Sequence, residues 1–165
     1  MLNDAYVEQS VKAKPGIGYF WKIFISVALI VFGIPFILFG GLGLLLVAAG
    51  IGLFMHFAGD SKMEYEYTLT NGSVEIAAIY NASRRKEILQ FDLGNVTMVV
   101  PKGSNRINPQ EKFVKTYSFV SKTGEGQQVS LILEENGKKK LVTIEPNEKS
   151  VEHIKMFAKN KCYDI

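Results

Sequence analysis

Cysteine and histidine are nearly absent from this chain, and their scarcity excludes two kinds of site. Cys162 is the single cysteine among 165 residues, and His56 and His153 are the two histidines. One cysteine cannot form a disulfide framework, which fits a reducing compartment. A zinc site requires three or four ligands at regular spacing, so we expect no metal centre. We predict that His153 lies on the exposed side of the last helix and that Cys162 is an exposed thiol.

An excess of charge of one sign is also lacking. The 19 lysines and arginines nearly balance the 16 acidic residues and leave a net charge of +3, which argues against a nucleic-acid partner. The basic run 138–140 follows a tight turn and faces Glu134 and Glu135, so we interpret it as a solvated hairpin end. The glycine pairs at 41–43 and 124–126 lack the context of a phosphate loop. We therefore expect no cofactor and no enzymatic activity.

One long apolar stretch, residues 17–58, dominates what is present, and Lys22 is its only charge. A bilayer core about 30 Å thick needs about 20 apolar residues per spanning helix, so this stretch is long enough for two. Gly40 and Gly41 mark a turn, and Pro35 weakens the helix before it. We predict a transmembrane hairpin over residues 17–59, with helices at about 18–39 and 41–58.

Small residues on the second helix indicate how the hairpin packs. Ala48 and Gly52 are four residues apart, with Gly43, Ala49 and Gly50 nearby, a pattern that allows another helix to approach closely. The first helix is the expected neighbour, and a homo-oligomer through the membrane helices is a further possibility. The alternative is that small residues are simply common in membrane helices.

The cations predict the orientation of this hairpin. Lys12, Lys14 and Lys22 lie at its N-terminal side, and Lys62 and the run Arg84-Arg85-Lys86 follow it, whereas the turn carries none. The positive-inside rule then predicts a multi-pass protein of the cell membrane with both termini in the cytoplasm. The alternative is one kinked span, which would put the C-terminal part outside.

Residues 1–16 form a basic cytoplasmic leader ahead of the first span. Asn3 or Asp4 is placed to cap a short helix with Tyr6, Val7 and Val11 on one side, and an unstructured leader is the alternative. In either form, Lys12 and Lys14 would lie at the inner membrane surface, where each contributes about 1 kcal/mol with anionic lipid.

Residues 60–165 change from helical to strand periodicity. The dipeptides Asn71-Gly72 and Asn136-Gly137 are strong signals for two-residue hairpin turns. The second turn places Leu131 opposite Val142 and Val129 opposite Ile144, apolar against apolar. We predict seven strands, near residues 64–70, 74–80, 86–93, 96–100, 113–119, 129–133 and 139–145. An amphipathic helix capped by Asn147 follows, over residues 147–160.

Seven antiparallel strands followed by a helix resemble the pleckstrin-homology-like (PH-like) barrel, in which the helix closes one end. Nearly the whole chain is similar to a family of small Gram-positive membrane proteins known only as a domain of unknown function. The matching stretches are Val7-Glu8-Gln9, Lys12-x-Lys14-Pro15, the double span, Glu64-Tyr65-Glu66-Tyr67-x-Leu69-Thr70-Asn71-Gly72 and Pro146-Asn147-Glu148. The resemblance implies an α+β membrane protein in which a two-helix hairpin precedes a seven-stranded antiparallel PH-like barrel with a capping helix.

The resemblance implies no catalytic residues, so function has to be inferred from the surface. In the phosphoinositide-binding members of the PH-like fold, the binding site looks like a basic, extended first hairpin loop. Here that loop is the uncharged Asn71-Gly72. Our leading hypothesis is a non-catalytic adaptor that binds a protein partner at the inner face of the lipid bilayer. The alternative is an anionic-lipid sensor or membrane-organising protein. Its candidate headgroup contacts are Lys12, Lys14, Arg84, Arg85 and Lys86.

Overall fold

The structure, a computed structural model, describes residues 5–165, so the helix cap predicted at Asn3 or Asp4 lies outside the described residues. The described chain divides into two compact units. The β unit comprises residues 5–13, Glu64–Ile79 and Arg85–Ile165. The helical unit comprises Lys14–Met63 and Tyr80–Arg84.

Two antiparallel helices make up most of the helical unit. Helix α1 (Ile17–Phe36) contains Pro35 and continues as a 3-10 turn over Ile37–Phe39, and helix α2 follows at Gly41–Ala58. Gly40 between them has φ = 128°, a conformation that favours glycine. By length and composition both helices could cross a membrane, and only 11% of each apolar window is buried.

Glycines bring these two helices together, and two of them, Gly43 and Gly50, are among the small residues noted near the Ala48/Gly52 pair. A Cβ on Gly33 would lie 2.8 Å from the Val47 side chain, one on Gly50 would lie 2.8 Å from the Ser26 carbonyl, and one on Gly43 would overlap the backbone of Ile37. The prediction for Gly52 was wrong, because a Cβ there meets nothing within 4 Å. The spacing of small residues did not reveal which face of α2 meets α1.

The leader is a strand and not a helix. Strand β1 (Tyr6–Ala13) alternates exposed residues with half-buried or buried ones, and Val7 and Val11 pack against the core of the β unit. Both the helical and the unstructured interpretations of residues 6–13 are therefore wrong. A separation of four residues puts two side chains on one face of a helix and equally on one face of a strand, so Val7 and Val11 fitted both.

Eight strands are present among the described residues, one more than predicted. After β1 they are β2 (Met63–Thr70), β3 (Ser73–Tyr80), β4 (Arg84–Asp92), β5 (Val96–Pro101), β6 (Lys115–Phe119), β7 (Val129–Glu135) and β8 (Lys138–Ile144). They form two four-stranded sheets, in the orders β1-β2-β3-β4 and β5-β7-β8-β6. The predicted closed, antiparallel, seven-stranded barrel is thus corrected to two sheets, in which β6 pairs parallel to β8.

The parallel pair arises from the connection between β5 and β6. These two strands lie at opposite edges of the second sheet, so residues 102–114 must cross one of its faces. By contrast, the β7–β8 hairpin is confirmed as predicted, with Leu131 opposite Val142 and Val129 opposite Ile144. Its turn residues, Asn136 and Gly137, both have positive φ, as a two-residue turn of this kind requires.

Helix α3 (Glu148–Ala158) packs against the core of the β unit through Ile154 and Ala158, which are fully buried. The Asn147 cap is confirmed, since its Oδ1 accepts a hydrogen bond from the Ser150 amide at 2.9 Å. His153, predicted to be exposed, is instead 3% exposed. Its Nε2 accepts from the Gly72 amide at 3.4 Å, and burial lowers its pKa. The apolar face that we predicted for α3 was too narrow. The helix also buries the side that faces the β2–β3 turn, and His153 lies on that side.

Candidate functional site

A buried carboxylate organises the charged end of the helical unit. Asp60 lies just after α2, and its side chain is only 8% exposed. Arg84 forms an ion pair with it, and the Lys22 ammonium lies 3.8 Å from its other oxygen. The same ammonium lies 4.7 Å from the centre of the Phe57 ring. Lys22, which looked like an isolated charge in an apolar stretch, therefore has an acidic partner within its own unit.

Hydrogen bonds and the ion pair with Asp60 hold the β3–β4 turn, residues 81–83, in place. The Asn81 amide donates to the Lys62 carbonyl at 2.8 Å, and the Ser83 amide donates to the Tyr80 carbonyl at 3.2 Å. Asn81 and Ala82 both have φ near +50°, which a residue with a Cβ adopts only when its surroundings hold it there. The ion pair from Arg84 to Asp60 provides that hold, so this arginine has a structural role.

Arg85 is also engaged internally, in the β unit. Its guanidinium contacts Glu66 and Glu75, each at 2.8 Å. The hydrogen bonds that its guanidinium donates to Glu66 and then to Glu75 raise the pKa of Arg85. Because two carboxylates surround it, its charge is more than balanced locally.

The remaining predicted contacts, Lys12, Lys14 and Lys86, are exposed. Lys12 lies on β1, Lys14 lies between β1 and α1, and Lys86 lies on β4. Among residues 5–165, no ion pair to any of these three ammonium groups is found. The two arginines predicted to contact lipid headgroups thus form ion pairs with nearby carboxylates, and the three lysines are exposed to solvent.

A polar network that sequence reasoning missed joins β1 to the start of α3. The Gln9 side-chain amide donates to the Glu145 carbonyl at 2.8 Å and accepts from the Asn147 amide at 2.7 Å and the Ser150 hydroxyl at 3.0 Å. Two of the stretches noted as family-like, Val7-Glu8-Gln9 and Pro146-Asn147-Glu148, therefore meet here. The presence of both stretches among the family-like motifs was the only signal in the sequence. It did not indicate that the two stretches would be in contact.

The first hairpin turn, which is short and uncharged, is packed beneath α3. A Cβ on Gly72 would lie 2.9 Å from the Phe157 ring, and the Gly72 carbonyl accepts from the Leu93 amide at 2.8 Å. The Asn71 amide donates to the Ala5 carbonyl at 3.1 Å. The turn therefore closes one end of the β unit and is occupied by protein contacts.

Cys162 is half-buried, which corrects the prediction of an exposed thiol. It pairs with Val99 at the edge of β5, and the next amide, that of Tyr163, donates to the Val99 carbonyl at 2.9 Å. Burial raises the pKa of its thiol. Among the described residues, no three histidine, cysteine, aspartate or glutamate side chains are grouped closely enough to hold a metal ion.

Two β-sheets and a packing C-terminal helix, with two apolar helices inserted between β1 and β2, define an α+β protein with a PH-like domain. The chain matches the family described as Bacterial PH-like domain (DUF6106) over residues 3–164, and it belongs to this family. The function of that family is unknown. The searches of curated proteins and of solved structures return no match.

Proposed function

We propose that this protein is a membrane-anchored, non-catalytic interaction module whose β unit works at the cytoplasmic face. The observation that carries the proposal is the pairing of β1 with β2, the two strands that flank the helices in sequence. Strands on opposite sides of a bilayer could not pair. The pairing therefore favours a helical hairpin with both ends on one side over the single kinked span.

The connections between the helices and the neighbouring strands are short. Three residues separate Ala13 from α1, and four separate Ala58 from β2. Each residue reaches at most about 3.6 Å, so either connection spans no more than about 15 Å. Two short tethers to the same domain support the proposal that it works close to the bilayer. By the positive-inside rule, Lys12, Lys14 and Lys62 support the cytoplasmic side for this domain.

A protein partner is best accommodated at a sheet edge. Edge strands offer unpaired amides and carbonyls, and a partner segment that adds as a further strand is a recurring mode of recognition. The edge of β5 already engages Cys162 and Tyr163, whereas β4 is a nine-residue edge strand whose side chains are mostly exposed. We propose β4 as the contact edge.

Crosslinking in living cells tests this proposal. A photoreactive amino acid at Gln90, which is exposed on β4, should capture one defined protein at the membrane. The matched control carries the same group at Glu125, an exposed residue away from this edge. Equal capture from both positions, or none from Gln90, would contradict a β4 partner.

A second candidate function, anionic-lipid sensing, rests on the three exposed lysines. Arg84 and Arg85 were its other proposed contacts, and their carboxylate partners weaken that role. We propose that Lys12, Lys14 and Lys86 contribute most of any headgroup attraction, about 1 kcal/mol each. The triple change to glutamate in the full-length protein should reduce co-purified phosphatidylglycerol, and Lys149→Glu on α3 is the control. Unchanged lipid retention in the triple variant would end this candidate.

Self-association through the membrane helices is a separate proposal. Gly43 and Gly50 are packed against the other helix of the hairpin, whereas Ala48 and Gly52 face outward. Crosslinking of a cysteine at Gly52 in the membrane tests it. A dimer whose yield depends on this position supports self-association, and a monomer at every protein concentration contradicts it.

A further inference from the structure

A groove of about 710 Å³ lies in the β unit, between the β5–β6 connection and the outer face of the second sheet, the face opposite the core. The topology explains its origin. Residues 102–114 cross this face, and because they cross it as turns instead of a helix they leave space beneath them. The volume is within the range of small-molecule sites, about 300–1,000 Å³.

A row of hydroxyl groups forms the floor of the groove. Ser118, Thr143 and Ser130 lie opposite one another across β6, β8 and β7. Ser130 is 2% exposed and Thr143 is 6% exposed, although both lie on the outer face. Their hydroxyl oxygens are 3.2 Å apart and share one hydrogen bond. Two hydroxyls carry two protons, so that bond leaves one O–H donor for an acceptor on a ligand.

The rim of the groove carries one positive charge. The Lys102 ammonium donates to the Gln128 amide oxygen at 2.7 Å, a contact that positions the ammonium without neutralising it. Two other cations around this connection are neutralised, Arg106 by Asp164 at 3.0 Å and Lys139 by Glu111 at 2.6 Å. Of the described residues that line the groove, none is acidic. Lys102 therefore gives the groove a preference for anions.

Apolar side chains lie beside these polar groups. Leu141 on β8 and Ile107 in the connection are half-buried, and Pro109 lies on the same wall. Turns organise the connection itself, since the Ser104 amide donates to the Pro101 carbonyl and the Ile107 amide donates to the Ser104 carbonyl. A ligand with a carbon skeleton as well as an oxyanion would use both surfaces.

We propose that this groove binds a small organic oxyanion of the glycerol-phosphate class, with its anionic oxygens toward Lys102 and the Ser130–Thr143 pair. The ligand can come from a soluble phosphate ester or from the headgroup of a phospholipid, which present the same chemistry. This inference does not rest on the proposed adaptor function, because it uses the β unit alone and neither β4 nor the orientation in the membrane.

Titration of the full-length protein in uncharged detergent micelles tests the site, with glycerol 1-phosphate as the soluble probe. Binding should be saturable, and Lys102→Gln should weaken it about tenfold, the loss expected for one charge-assisted hydrogen bond. The double variant Ser130→Ala/Thr143→Val should weaken it similarly. Because it removes both partners of one buried hydrogen bond, it should fold normally. Lys149→Gln, an exposed cation on α3, is the matched control.

Nanodiscs distinguish the two sources. If the ligand is a lipid headgroup, Lys102→Gln should reduce the effect of phosphatidylglycerol on the NMR signals of the groove residues. The same variant should cause no change in phosphatidylcholine. Glycerol 1-phosphate should compete with phosphatidylglycerol for the groove. A soluble source predicts binding of the free ester and equal spectra in both lipids. Absence of saturable binding to both probes would overturn the proposal. Binding that all the variants retain unchanged would do the same.

Discussion

The two units of this protein bring their elements together by opposite means. In the helical unit, α1 and α2 approach closely because Gly33, Gly43 and Gly50 have no side chains. In the β unit, large side chains such as Tyr67 and Leu131 fill the space between the sheets and are almost completely buried. The helical unit should therefore be most sensitive to added atoms, and the β unit to removed ones.

The largest effect is expected when a side chain is added to α2, and this change tests the contrast between the two units. In Gly43→Leu, the new Cβ would overlap backbone atoms of Phe36 and Ile37, which cannot rotate away. We expect a loss of more than about 4 kcal/mol and separation of the helices. Thermal unfolding in detergent, followed by the fluorescence of Trp21 on α1, measures the effect. Gly52→Leu is the control and should change little, because its Cβ meets nothing within 4 Å.

Removal of atoms should have the next largest effect, and in the other unit. Leu131→Ala leaves a cavity beneath a fully buried position, which should cost about 3 kcal/mol of unfolding free energy. The same change at Leu44, 63% exposed on α2, should cost far less. Urea unfolding in micelles compares the two. Equal losses would mean that packing within the helical unit depends on its outer leucines as well.

The two Asn-Gly turns provide a finer comparison within the β unit. Gly72 and Gly137 both have positive φ, so replacement by alanine should cost each about 1 kcal/mol in backbone strain. A Cβ on Gly72 also meets Phe157 of α3, whereas one on Gly137 meets nothing within 4 Å. We expect Gly72→Ala to lose about 1 kcal/mol more. Equal midpoints of urea unfolding would show that α3 yields freely at this contact.

The smallest expected effect concerns charge. Asp60→Asn leaves Lys22 and Arg84 without their acidic partner, but both are about half-exposed, so water replaces much of the interaction. We expect a loss of about 1 kcal/mol, measured by thermal unfolding. Asp164→Asn breaks an exposed pair with Arg106 and serves as the control. If Asp164→Asn proved as damaging as Asp60→Asn, burial would not be what makes Asp60 important.

Local patterns in the sequence predicted most of the strands. The β7–β8 register followed from one Asn-Gly turn and alternating apolar residues, because a two-residue turn fixes which residues face each other. Strand β1 could not be separated from a helix, since its apolar residues fit both periods. The parallel β6–β8 pair depends on a contact distant in sequence, which no local pattern records.

The candidate sites were less predictable than the strands. The run Arg84-Arg85-Lys86 looked like one basic cluster, but the partners of its arginines, Asp60, Glu66 and Glu75, lie elsewhere in the sequence. The groove was missed for a related reason. Ser130 and Thr143 occupy the outward phase of their strands, and only the crossing of residues 102–114 buries them.

We propose that the β unit works at the cytoplasmic face of a membrane, and labelling of introduced cysteines tests this proposal directly. In a Cys162→Ser background, one variant carries Gly41→Cys in the helical turn and a second carries Glu125→Cys in the β unit. An impermeant thiol reagent added to intact cells should label the first variant, and the second only after the membrane is opened. Labelling of the Glu125→Cys variant in intact cells would contradict the account.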